Sequence, residues 1–596
     1  MQNHIPQMLK ERCSQYGDRQ VFQFKNKSNQ KYEAISWNKL YSDTEKVSRS
    51  LISLGYSYND KIGILSFNRP EWTISDLGIL AVRAIVVPLY ATASKQDIKY
   101  IIDETEMKLL FVGNNDQVEK ALWLLENCDT LEKIITYQEE IPANDNRFLD
   151  WKSFLNLTQN GEHTDQLNEI YESIQSEDIA TIIYTSGTTG EPKGAMLTHS
   201  NFMNALKINN ERLNVHDEDT SFCFLPLSHV FERTWVYFLL YCGATNIYLE
   251  NPRKVIEELP KVKPTVMCTV SRFFEKTYDG IQKEKNKWPG FKQNIFDWSI
   301  SIGHQYIEYL KDSEKAPALL KIKRSIADKL VLNKLRQVFG GNIKTLPCAG
   351  AAIDSKLLRF FHATGVFINY GYGATETTAT VSCFRTNKYN FDYCGSIMPE
   401  VSINISDQNE ILIKGKTVFK GYYNKPEETA KVLKDGWYYS GDEGYVVDNE
   451  YLVMTDRIKD LIKTSGGKYI SPQKLELLIG QDQYVDQIVI IGDKRKYVTA
   501  LIVPSSEDLK KLALFLDLDD KNKELLVENP KIKEFFQNRI EKLQNELSPY
   551  EKIIKFKLLA NAFNIDNNTL TNTLKIRRKE IIKIYTKDIE KMYSSF

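Results

Sequence analysis

The chain has 596 residues, with 78 basic and 78 acidic side chains, so its net charge gives no indication of a nucleic-acid partner. Hydrophobic residues make up 42% of it, which excludes an intrinsically disordered protein. The length exceeds what one hydrophobic core can hold, so we expect a globular protein of two or more domains.

We expect no targeting or membrane-spanning segment in the first hundred residues. The N-terminus lacks the apolar core of a signal peptide, and no run reaches the roughly 18–20 apolar residues of a membrane span. The stretch "LGILAVRAIVVPLY" comes closest, but Arg83 interrupts it and Pro88 ends it. The eight cysteines form no C-x-x-C pair, so we expect reduced core thiols and a cytoplasmic protein.

Short β-rich runs alternate with helical periods along the next part of the chain. "KIGILSFN", "IVVPLY" and "KLLFVG" are typical of strands, and "ISDLGILAVRA" and "QDIKYIIDET" are typical of helices. This alternation predicts an α/β fold with a largely parallel sheet. Residues from about 140 to 178 are polar, and we expect them to form exposed connections.

A glycine- and threonine-rich segment, "YTSGTTGEPKGA", lies between two apolar runs. The runs predict strands over Ala180–Tyr184 and Gly194–Thr198, and a helix follows with Ser200 as its N-cap. The glycines allow backbone N–H groups to approach an anion, the hydroxyls add donors, and Lys193 adds a positive charge. A phosphate-binding loop and a flexible surface hairpin are both compatible with these residues.

Three later segments carry further groups that a nucleotide could use. "INYGYGATETT" offers the ring of Tyr372 for stacking and Glu376 as an oxygen ligand for a cation. "TLPCAGAAIDSKLLRFF" has a turn at Gly350 before a helix. The third segment, "DGWYYSGDEGYVVDNEYLVMTDRIKDLIKTSGGKYISPQKLE", carries Asp442 and Arg457. Each signal is weak alone, but together they indicate a nucleotide site.

The pattern changes after about Asp456. "YVDQIVIIGDKRKYVTALIVPS" is typical of a strand pair, and "PKIKEFFQNRIEKLQNEL" of an amphipathic helix. These features predict a small α+β domain at the C-terminal end of the chain.

With these motifs in this order, the sequence resembles the adenylate-forming superfamily of acyl-CoA synthetases, luciferases and peptide-synthetase adenylation domains. "YTSGTTGEPKGAMLTH" is a highly specific signature of it. The resemblance implies a large N-terminal domain of layered α/β subdomains with parallel-rich sheets, residues 1–458. It also implies a small mobile α+β domain, residues 459–596.

Within the superfamily, the chain is similar to the long-chain fatty acyl-CoA synthetase branch. "LPLSHVFER", "NRPEWTISDLGILAVRAIVVPLYATAS" and "DRIKDLIKTSGGKYISP" carry this similarity. A helical insertion from about Lys276 to Lys344 supports it, although Trp298 and Ile302 within the insertion are more typical of core packing than of an acyl-chain lining.

The resemblance implies a two-step reaction. The carboxylate of a long-chain fatty acid attacks the α-phosphorus of ATP and expels pyrophosphate, and the thiol of CoA then displaces AMP. Mg²⁺ is the implied metal, so the small-molecule partners are a long-chain fatty acid, ATP and CoA. Catalysis would then depend on positioning and electrostatic stabilisation.

The same resemblance assigns roles to individual residues. The β- and γ-phosphates would contact Thr185, Ser186, Gly187, Thr188, Thr189, Gly190 and Lys193, and Mg²⁺ would contact Thr185 and Glu376. Adenine would be surrounded by Gly350, Ala351, Tyr370, Gly371, Tyr372 and Gly373, with Thr375 at the α-phosphate. The ribose and AMP contacts would be Asp442, Arg457 and Lys463, with Lys459 at the hinge between domains, Lys575 as the catalytic lysine, and His229 between the nucleotide and the acyl pocket.

Several alternatives stay open from the residues alone. Lys193 and Lys575 could be solvated charges, and Asp442 and Arg457 a structural ion pair. The rival functions are a fatty acyl-AMP ligase that loads a carrier protein, and a catalytically inactive lipid-binding or uptake protein. Asn572 stands where the family commonly has proline.

Peripheral membrane contact is a further expectation, and it depends on a basic stretch near the end of the chain. The basic C-terminal stretch "KIRRKEIIKIYTKDIEK" could lie near anionic lipid, which would make the protein peripherally membrane-associated. A solvated helix explains the same charges.

Overall fold

The computed structural model describes residues 3–26, 29–138, 145–159, 161–185, 192–386, 388–458, 461–465, 468–520, 522–565, 567–571 and 575–594. All structural statements concern these residues. None of their helices combines the length and the apolar composition needed to span a bilayer.

The central sheet contains eight strands within the described ranges, and most of its neighbours are parallel. The predicted alternation of strand and helix is therefore confirmed, with buried apolar runs as the strands. In spatial order the strands are Gly421–Tyr422, Lys193–Thr198, Ile179–Thr185, Ile85–Leu89, Lys61–Leu65, Leu109–Val112, Lys133–Thr136 and Phe148–Asp150. The first two pair antiparallel with their neighbours.

A second large sheet differs from the predicted parallel-rich layers, because antiparallel pairing predominates in it. Its parallel pair, Leu346–Cys348 with Ile368–Tyr372, lies at one edge. The remaining strands are Ser382–Cys383, Ser396–Ile397, Tyr451–Arg457, Trp437–Val447, Leu433–Lys434, Glu410–Lys414 and Ser402–Ile405. A smaller sheet contains Thr220–Cys223, Thr245–Tyr248, Gln20–Lys25 and Tyr32–Ser36.

The helices of this large region cover the sheets with their apolar faces. They are Ile5–Tyr16, Trp37–Ser53, Pro70–Ala81, Lys95–Thr105, Asn115–Asn127, Trp151–Leu155, Thr164–Ser173, His199–Arg212, Val230–Cys242, Val255–Val262, Ser355–Thr364 and Pro426–Val432, with short 3-10 turns at Pro252–Lys254 and Thr375–Thr377. The predicted insertion is helical, as expected: Ser271–Asn286, Gly290–Leu310, Ala318–Ala327, a π-helical turn at Asp328–Leu332, and Asn333–Gln337.

Two local predictions were wrong. The segment from 140 to 178 is more than exposed connection, because Phe148, Phe154 and Leu167 are buried on a strand and two helices. The helix after the glycine-rich segment begins earlier than predicted. Its N-cap is Thr198, whose hydroxyl accepts the Asn201 N–H at 3.2 Å while the Asn201 side chain accepts the Thr198 N–H at 2.8 Å. This reciprocal pair satisfies two donors that Ser200 could not.

The C-terminal region has its own hydrophobic clusters, formed by buried residues between 462 and 592, whereas the larger clusters lie between residues 5 and 452. The predicted strand pair, Val485–Ile491 and Val498–Pro504, and the helix Pro530–Leu543 are present. The other elements are Ile462–Lys463, Tyr469–Ile470, Pro472–Gly480, Ser506–Phe515, Lys523–Glu528, Ile553–Leu558, Arg578–Ile584 and Thr586–Ser594.

Seven of the eight cysteines are buried and all eight are free thiols, as the sequence predicted. Burial raises the pKa of the fully buried Cys348 to about 12, so this thiol stays protonated and unreactive at neutral pH.

Candidate active site

The glycine-rich segment connects two strands of one hairpin. Ile179–Thr185 pairs antiparallel with Lys193–Thr198, and Thr185 and Lys193 form the last pair before the connection. The predicted phosphate contacts Ser186, Gly187, Thr188, Thr189 and Gly190 lie outside the described residues. The hairpin places Thr185 and Lys193 side by side at its end. This position is compatible with a phosphate-binding loop and with a flexible surface hairpin.

Lys193 contacts residues that the sequence did not indicate. Its ammonium forms an ion pair with Glu428 and lies 5.4 Å from the centre of the Tyr422 ring. The carboxylate of Glu428 has its pKa lowered to about 2, chiefly because Lys193 and then Lys431 donate hydrogen bonds to it. Lys193 is therefore held at the end of the hairpin by an acidic partner and an aromatic face.

Tyr422 connects this lysine with Glu376. The Tyr422 hydroxyl donates to Oε1 of Glu376 at 2.8 Å, and the Phe419 N–H donates to the Glu376 carbonyl at the same distance. Thr375 and Glu376 are both buried in a short 3-10 turn. In the described part of the chain, no lysine, arginine or histidine forms an ion pair with Glu376.

The predicted adenine-binding segments follow the ends of two neighbouring parallel strands. Leu346–Cys348 leads to Gly350 and Ala351, and Ile368–Tyr372 leads to Gly373. Loops beyond the carboxyl ends of adjacent parallel strands form a typical ligand-binding crevice. Gly350 has a φ of +91° and open space where a side chain would project, so a nucleotide base could approach its backbone.

Packing explains Gly371, Gly373 and Tyr370 without a ligand. A Cβ on Gly371 would lie 2.3 Å from the Ser382 carbonyl oxygen, and one on Gly373 would lie 2.5 Å from the Ala379 carbonyl carbon. The Tyr370 ring is buried and packs edge-on against Phe384 at 5.9 Å. The backbone of these residues borders the crevice, whereas the Tyr370 side chain points into the core.

Tyr372, Asp442 and Arg457 form one polar cluster. The Tyr372 hydroxyl donates to Asp442, and Nε of Arg457 lies 3.2 Å from the other carboxylate oxygen of Asp442. Asp442 and Arg457 are directly opposite each other on paired antiparallel strands. Asp442 and Arg457 therefore do form an ion pair, as one of the two interpretations of the sequence proposed. The same pair lies beside Tyr372, the residue predicted to stack on adenine.

His229 lies at the N-terminus of the helix Val230–Cys242. Its Nδ1 accepts the Phe231 N–H at 3.1 Å, which fixes the ring as the helix cap. Burial and, next, the positive charge of Lys575 lower the pKa of His229 to about 4, so the ring is neutral at physiological pH. Lys575 belongs to the C-terminal region, so its ammonium acts on this histidine across the two parts of the chain.

Two hydrogen bonds connect Lys575 with Thr571. The Thr571 N–H donates to the Lys575 carbonyl at 2.8 Å, and the Lys575 N–H donates to the Thr571 hydroxyl at 3.0 Å. Asn572 lies outside the described residues, as does Lys459 at the predicted hinge. Lys463 is exposed on the short strand Ile462–Lys463, where its N–H donates to Asp493 at 3.3 Å.

Polar contacts hold the C-terminal region against the rest of the chain. Arg272 Nη2 lies 3.4 Å from Asp486 Oδ1, and Lys283 Nζ lies 3.6 Å from Asp508 Oδ2. Both basic residues are on the helix Ser271–Asn286. The Arg272–Asp486 pair is exposed on both sides, so its contribution to stability is small.

Two residues position the loop that carries His229 and were missed by sequence reasoning. Asn68 Nδ2 donates to the Leu225 carbonyl at 2.7 Å, and its Oδ1 accepts the Leu227 N–H at 3.1 Å. The buried Glu232 accepts the Leu225 N–H at 3.2 Å. Both residues lie in segments quoted for their family resemblance, but no spacing rule indicates a contact across 157 residues of chain.

The buried carboxyl of Glu232 should make stability depend on pH. Burial raises the pKa of Glu232 from 4.5 to about 7, so between these pH values the folded chain keeps a proton that the unfolded chain releases. This contribution to the free energy of unfolding is therefore full at low pH and is lost as the pH rises to about 7.

Replacement of Glu232 by glutamine removes this titration and keeps an acceptor for the Leu225 N–H. As the pH rises through this range, we expect the free energy of unfolding of the wild type to fall by on the order of 3 kcal/mol relative to that of Glu232→Gln. Urea denaturation of both proteins in acidic and alkaline buffer measures it. Parallel pH profiles for the two proteins would show that Glu232 is not buried as a neutral acid.

Comparisons with known proteins give a consistent set of matches. The sequence profile described as AMP-binding enzyme matches residues 9–423, and that described as AMP-binding enzyme C-terminal domain matches residues 459–596. The long-chain-fatty-acid–CoA ligase FadD15 of Mycobacterium bovis is 31% identical over 563 residues, which covers 91% of this chain and 90% of that protein. Long-chain-fatty-acid–CoA ligase 1 of Homo sapiens is 29% identical and covers 96% and 84%, respectively.

Solved structures agree with the fold. The anthranilate CoA ligase AuaEII in complex with anthranoyl-AMP superimposes with a TM-score of 0.73 at 16% identity, covering 99% of this chain and 100% of that one. A fatty acyl CoA synthetase of Mycobacterium tuberculosis gives a TM-score of 0.58 at 18% identity, covering 98% and 99%. At these identities the likeness concerns the fold alone.

Proposed function

Because the chain belongs to the AMP-binding enzyme family, we propose that it activates long-chain fatty acids to acyl-CoA through an acyl-adenylate. The observation that carries the chemistry is the contact of Tyr422 with both Lys193, at the end of the glycine-rich hairpin, and the buried carboxylate of Glu376. A lysine that would contact the phosphates and a carboxylate that would contact Mg²⁺ therefore share one tyrosine, which supports their assignment to one nucleotide site.

In the first half-reaction the fatty acid carboxylate attacks the α-phosphorus, a P–O bond forms, and the bond to pyrophosphate breaks. Lys193 and the loop from Ser186 to Gly190 would hold the β- and γ-phosphates. Thr375 and Lys575 would stabilise the charge that develops at the α-phosphate. The neutral His229 would lie between the nucleotide and the acyl chain without adding a second positive charge.

In the second half-reaction the CoA thiolate attacks the carbonyl carbon of the adenylate and AMP leaves. The Asp442 carboxylate would accept hydrogen bonds from the ribose hydroxyls, with Arg457 beside it, while Gly350, Ala351 and the Tyr372 ring surround adenine. We propose a division between residues 1–458 and 459–596, with Lys459 as the hinge and Lys463 in the AMP contact. The division lies between the two groups of hydrophobic clusters.

Glu376 fits a cation ligand. Its carboxylate is buried, accepts a hydrogen bond from the neutral hydroxyl of Tyr422, and has no ion-pair partner among the described residues. A buried charge without a counter-charge is costly, and Mg²⁺ prefers oxygen ligands of this kind. Glu376 and Thr185 would hold Mg²⁺, which when bound would neutralise charge on the phosphates.

Glu376→Gln should therefore lower activity on the order of tenfold at limiting Mg²⁺, because the amide keeps the shape of the carboxylate and loses its charge. Pyrophosphate release titrated with Mg²⁺ measures the effect. Tyr422→Phe is the matched control: it removes the hydroxyl and keeps the carboxylate charge, so its Mg²⁺ requirement should stay close to that of wild type. If Glu376→Gln titrates with Mg²⁺ as wild type does, Glu376 is not the ligand.

A series of fatty acids from octanoate to arachidate, supplied with ATP, Mg²⁺ and CoA, tests the proposed function. We expect loss of free CoA thiol that requires both ATP and a long-chain acid. Adenylate formation without thiol loss would instead support a fatty acyl-AMP ligase. Absence of any fatty-acid-dependent pyrophosphate release would support an inactive lipid-binding protein.

We also propose a cytoplasmic location, supported by the eight free cysteines, which suit a reducing compartment.

A further inference from the structure

Exposed apolar side chains are concentrated in the helical insertion. Among the described residues, 19 large hydrophobic side chains are exposed, and eight of them lie between Trp288 and Leu330. Single exposed hydrophobic residues are normal on a protein surface, whereas a contiguous group of them indicates a binding surface.

Three side chains of the first half of the group form one row on the helix Gly290–Leu310. Phe291, Ile295 and Trp298 are spaced by three or four residues, so they share one helix face. Trp288 precedes the helix and packs edge-on against Phe296 at 5.9 Å. Phe291 is 62% exposed. The buried side of the same helix is anchored by Phe296, whose ring packs against Phe360 at 6.5 Å.

The second half forms a row on the next helix and its continuation. Leu319, Ile322, Ile326 and Leu330 follow the same spacing and are 46–64% exposed. The opposite side of this helix is buried, and Arg324 stacks over Tyr306 of the first helix at 5.5 Å. The two rows therefore belong to a packed helix pair, and we call their exposed faces the insertion surface.

The second row of the insertion surface is basic in a chain without net charge. Residues 315–334 contain six basic side chains, Lys315, Lys321, Lys323, Arg324, Lys329 and Lys334, and one acidic side chain, Asp328, which gives five net positive charges. Lys321, Lys323 and Lys329 are exposed, and they form no ion pair with any described residue.

We propose that the insertion surface docks on an anionic phospholipid bilayer. Helices with an apolar row flanked by lysines lie in the interface plane, and tryptophan is favoured at the depth of the head groups. A second copy of the chain is a poorer occupant, because it would bring two surfaces of the same charge together. This inference does not depend on the proposed function, although a bilayer is also where long acyl chains dissolve.

The C-terminal basic stretch fits this role less well. The apolar residues Ile581, Ile589 and Met592 of its helices are buried in the C-terminal region, and only Ile584 is exposed among its large apolar side chains within the described residues. Its lysines have no apolar row beside them. The solvated-helix interpretation of this stretch is therefore favoured.

Co-sedimentation of the full chain with vesicles tests the proposal. Vesicles of equal parts phosphatidylcholine and phosphatidylglycerol should bind the protein, and phosphatidylcholine alone should bind it at least about tenfold more weakly, because each lysine near an anionic surface contributes about fivefold. High salt should weaken the binding. Absence of binding to the anionic vesicles overturns the proposal.

Two variants locate the surface. Lys321→Glu with Lys323→Glu and Lys329→Glu, and separately Leu319→Ser with Ile322→Ser and Ile326→Ser, should each lower binding at least about tenfold. The matched control, Lys583→Glu with Lys587→Glu in the C-terminal stretch, should bind as wild type does. Loss in the control but not in the insertion variants overturns the proposal. The proposal is also overturned if the wild-type protein is a dimer, the serine variant is a monomer, and both bind the vesicles equally well.

Discussion

Replacement of Lys575 by alanine should lower the rate of acyl-adenylate formation by on the order of a hundredfold to a thousandfold, which is typical of the loss of one preorganised group that stabilises developing charge. Lys575 lies in the C-terminal region, and its positive charge contributes to the lowered pKa of His229. In the proposed function, its charge acts while pyrophosphate leaves. It is not needed when a thiol attacks a finished adenylate, so thioester formation from supplied acyl-adenylate should remain nearly normal.

Two measurements separate this result from a folding defect. Lys579→Ala removes another exposed lysine of the same basic stretch and should leave both half-reactions unchanged. Removal of the Lys575 charge should also raise the pKa of His229 above about 4, although burial still keeps it below 6.5. NMR titration of the histidine rings measures this shift. Equal damage to both half-reactions would contradict a lysine that serves adenylation alone.

The second large effect concerns stability. Arg233→Met should lower the free energy of unfolding by about 3–5 kcal/mol, because it leaves the carboxylate of Asp76 buried without a counter-charge. Arg233 and Asp76 have side chains that are 1% exposed, and they form an ion pair. The Tyr237 hydroxyl donates to Asp76 at 2.6 Å, and Arg233 Nη1 donates to the Thr181 hydroxyl at 2.6 Å.

This network joins two helices to the strand Ile179–Thr185, which leads into the glycine-rich segment, so its loss should also reduce adenylation. Urea denaturation of Arg233→Met measures the change. Asp217→Ala, which breaks the exposed pair of Asp217 with Arg19, is the matched control and should cost at most about 1 kcal/mol. The double variant Asp76→Leu with Arg233→Met should recover part of the loss. If the free energy of unfolding falls as little in Arg233→Met as in the control, the ion pair of Arg233 and Asp76 contributes little to stability.

The sequence predicted those parts of the fold that depend on local patterns. Buried apolar runs such as Ile85–Leu89 and Val498–Pro504 are strands because their β-branched residues suit a covered sheet. Prediction was wrong where a few residues decide the outcome. Phe148 and Leu167 anchor a largely polar segment, and the reciprocal hydrogen bonds of Thr198 and Asn201 start a helix before Ser200.

The candidate site could be predicted only where its residues lie within recognisable motifs. Lys193 was evident in the glycine-rich segment, but its ion-pair partner Glu428 lies 235 residues away and belongs to no motif. No motif indicated Tyr422 either, although it contacts both Lys193 and Glu376. Such contacts are set by which strands become neighbours in the sheet, and local periodicity holds no information about that.

The most direct test of the central claim is the stoichiometry of one reaction of the wild-type protein with palmitate, ATP, Mg²⁺ and CoA, resolved by mass spectrometry. We predict that palmitoyl-CoA and AMP appear in equal amounts, and that neither forms when palmitate or ATP is omitted. Palmitoyl-adenylate that accumulates without thioester, or ATP consumption that does not depend on palmitate, would contradict the assignment as a long-chain fatty acid–CoA ligase.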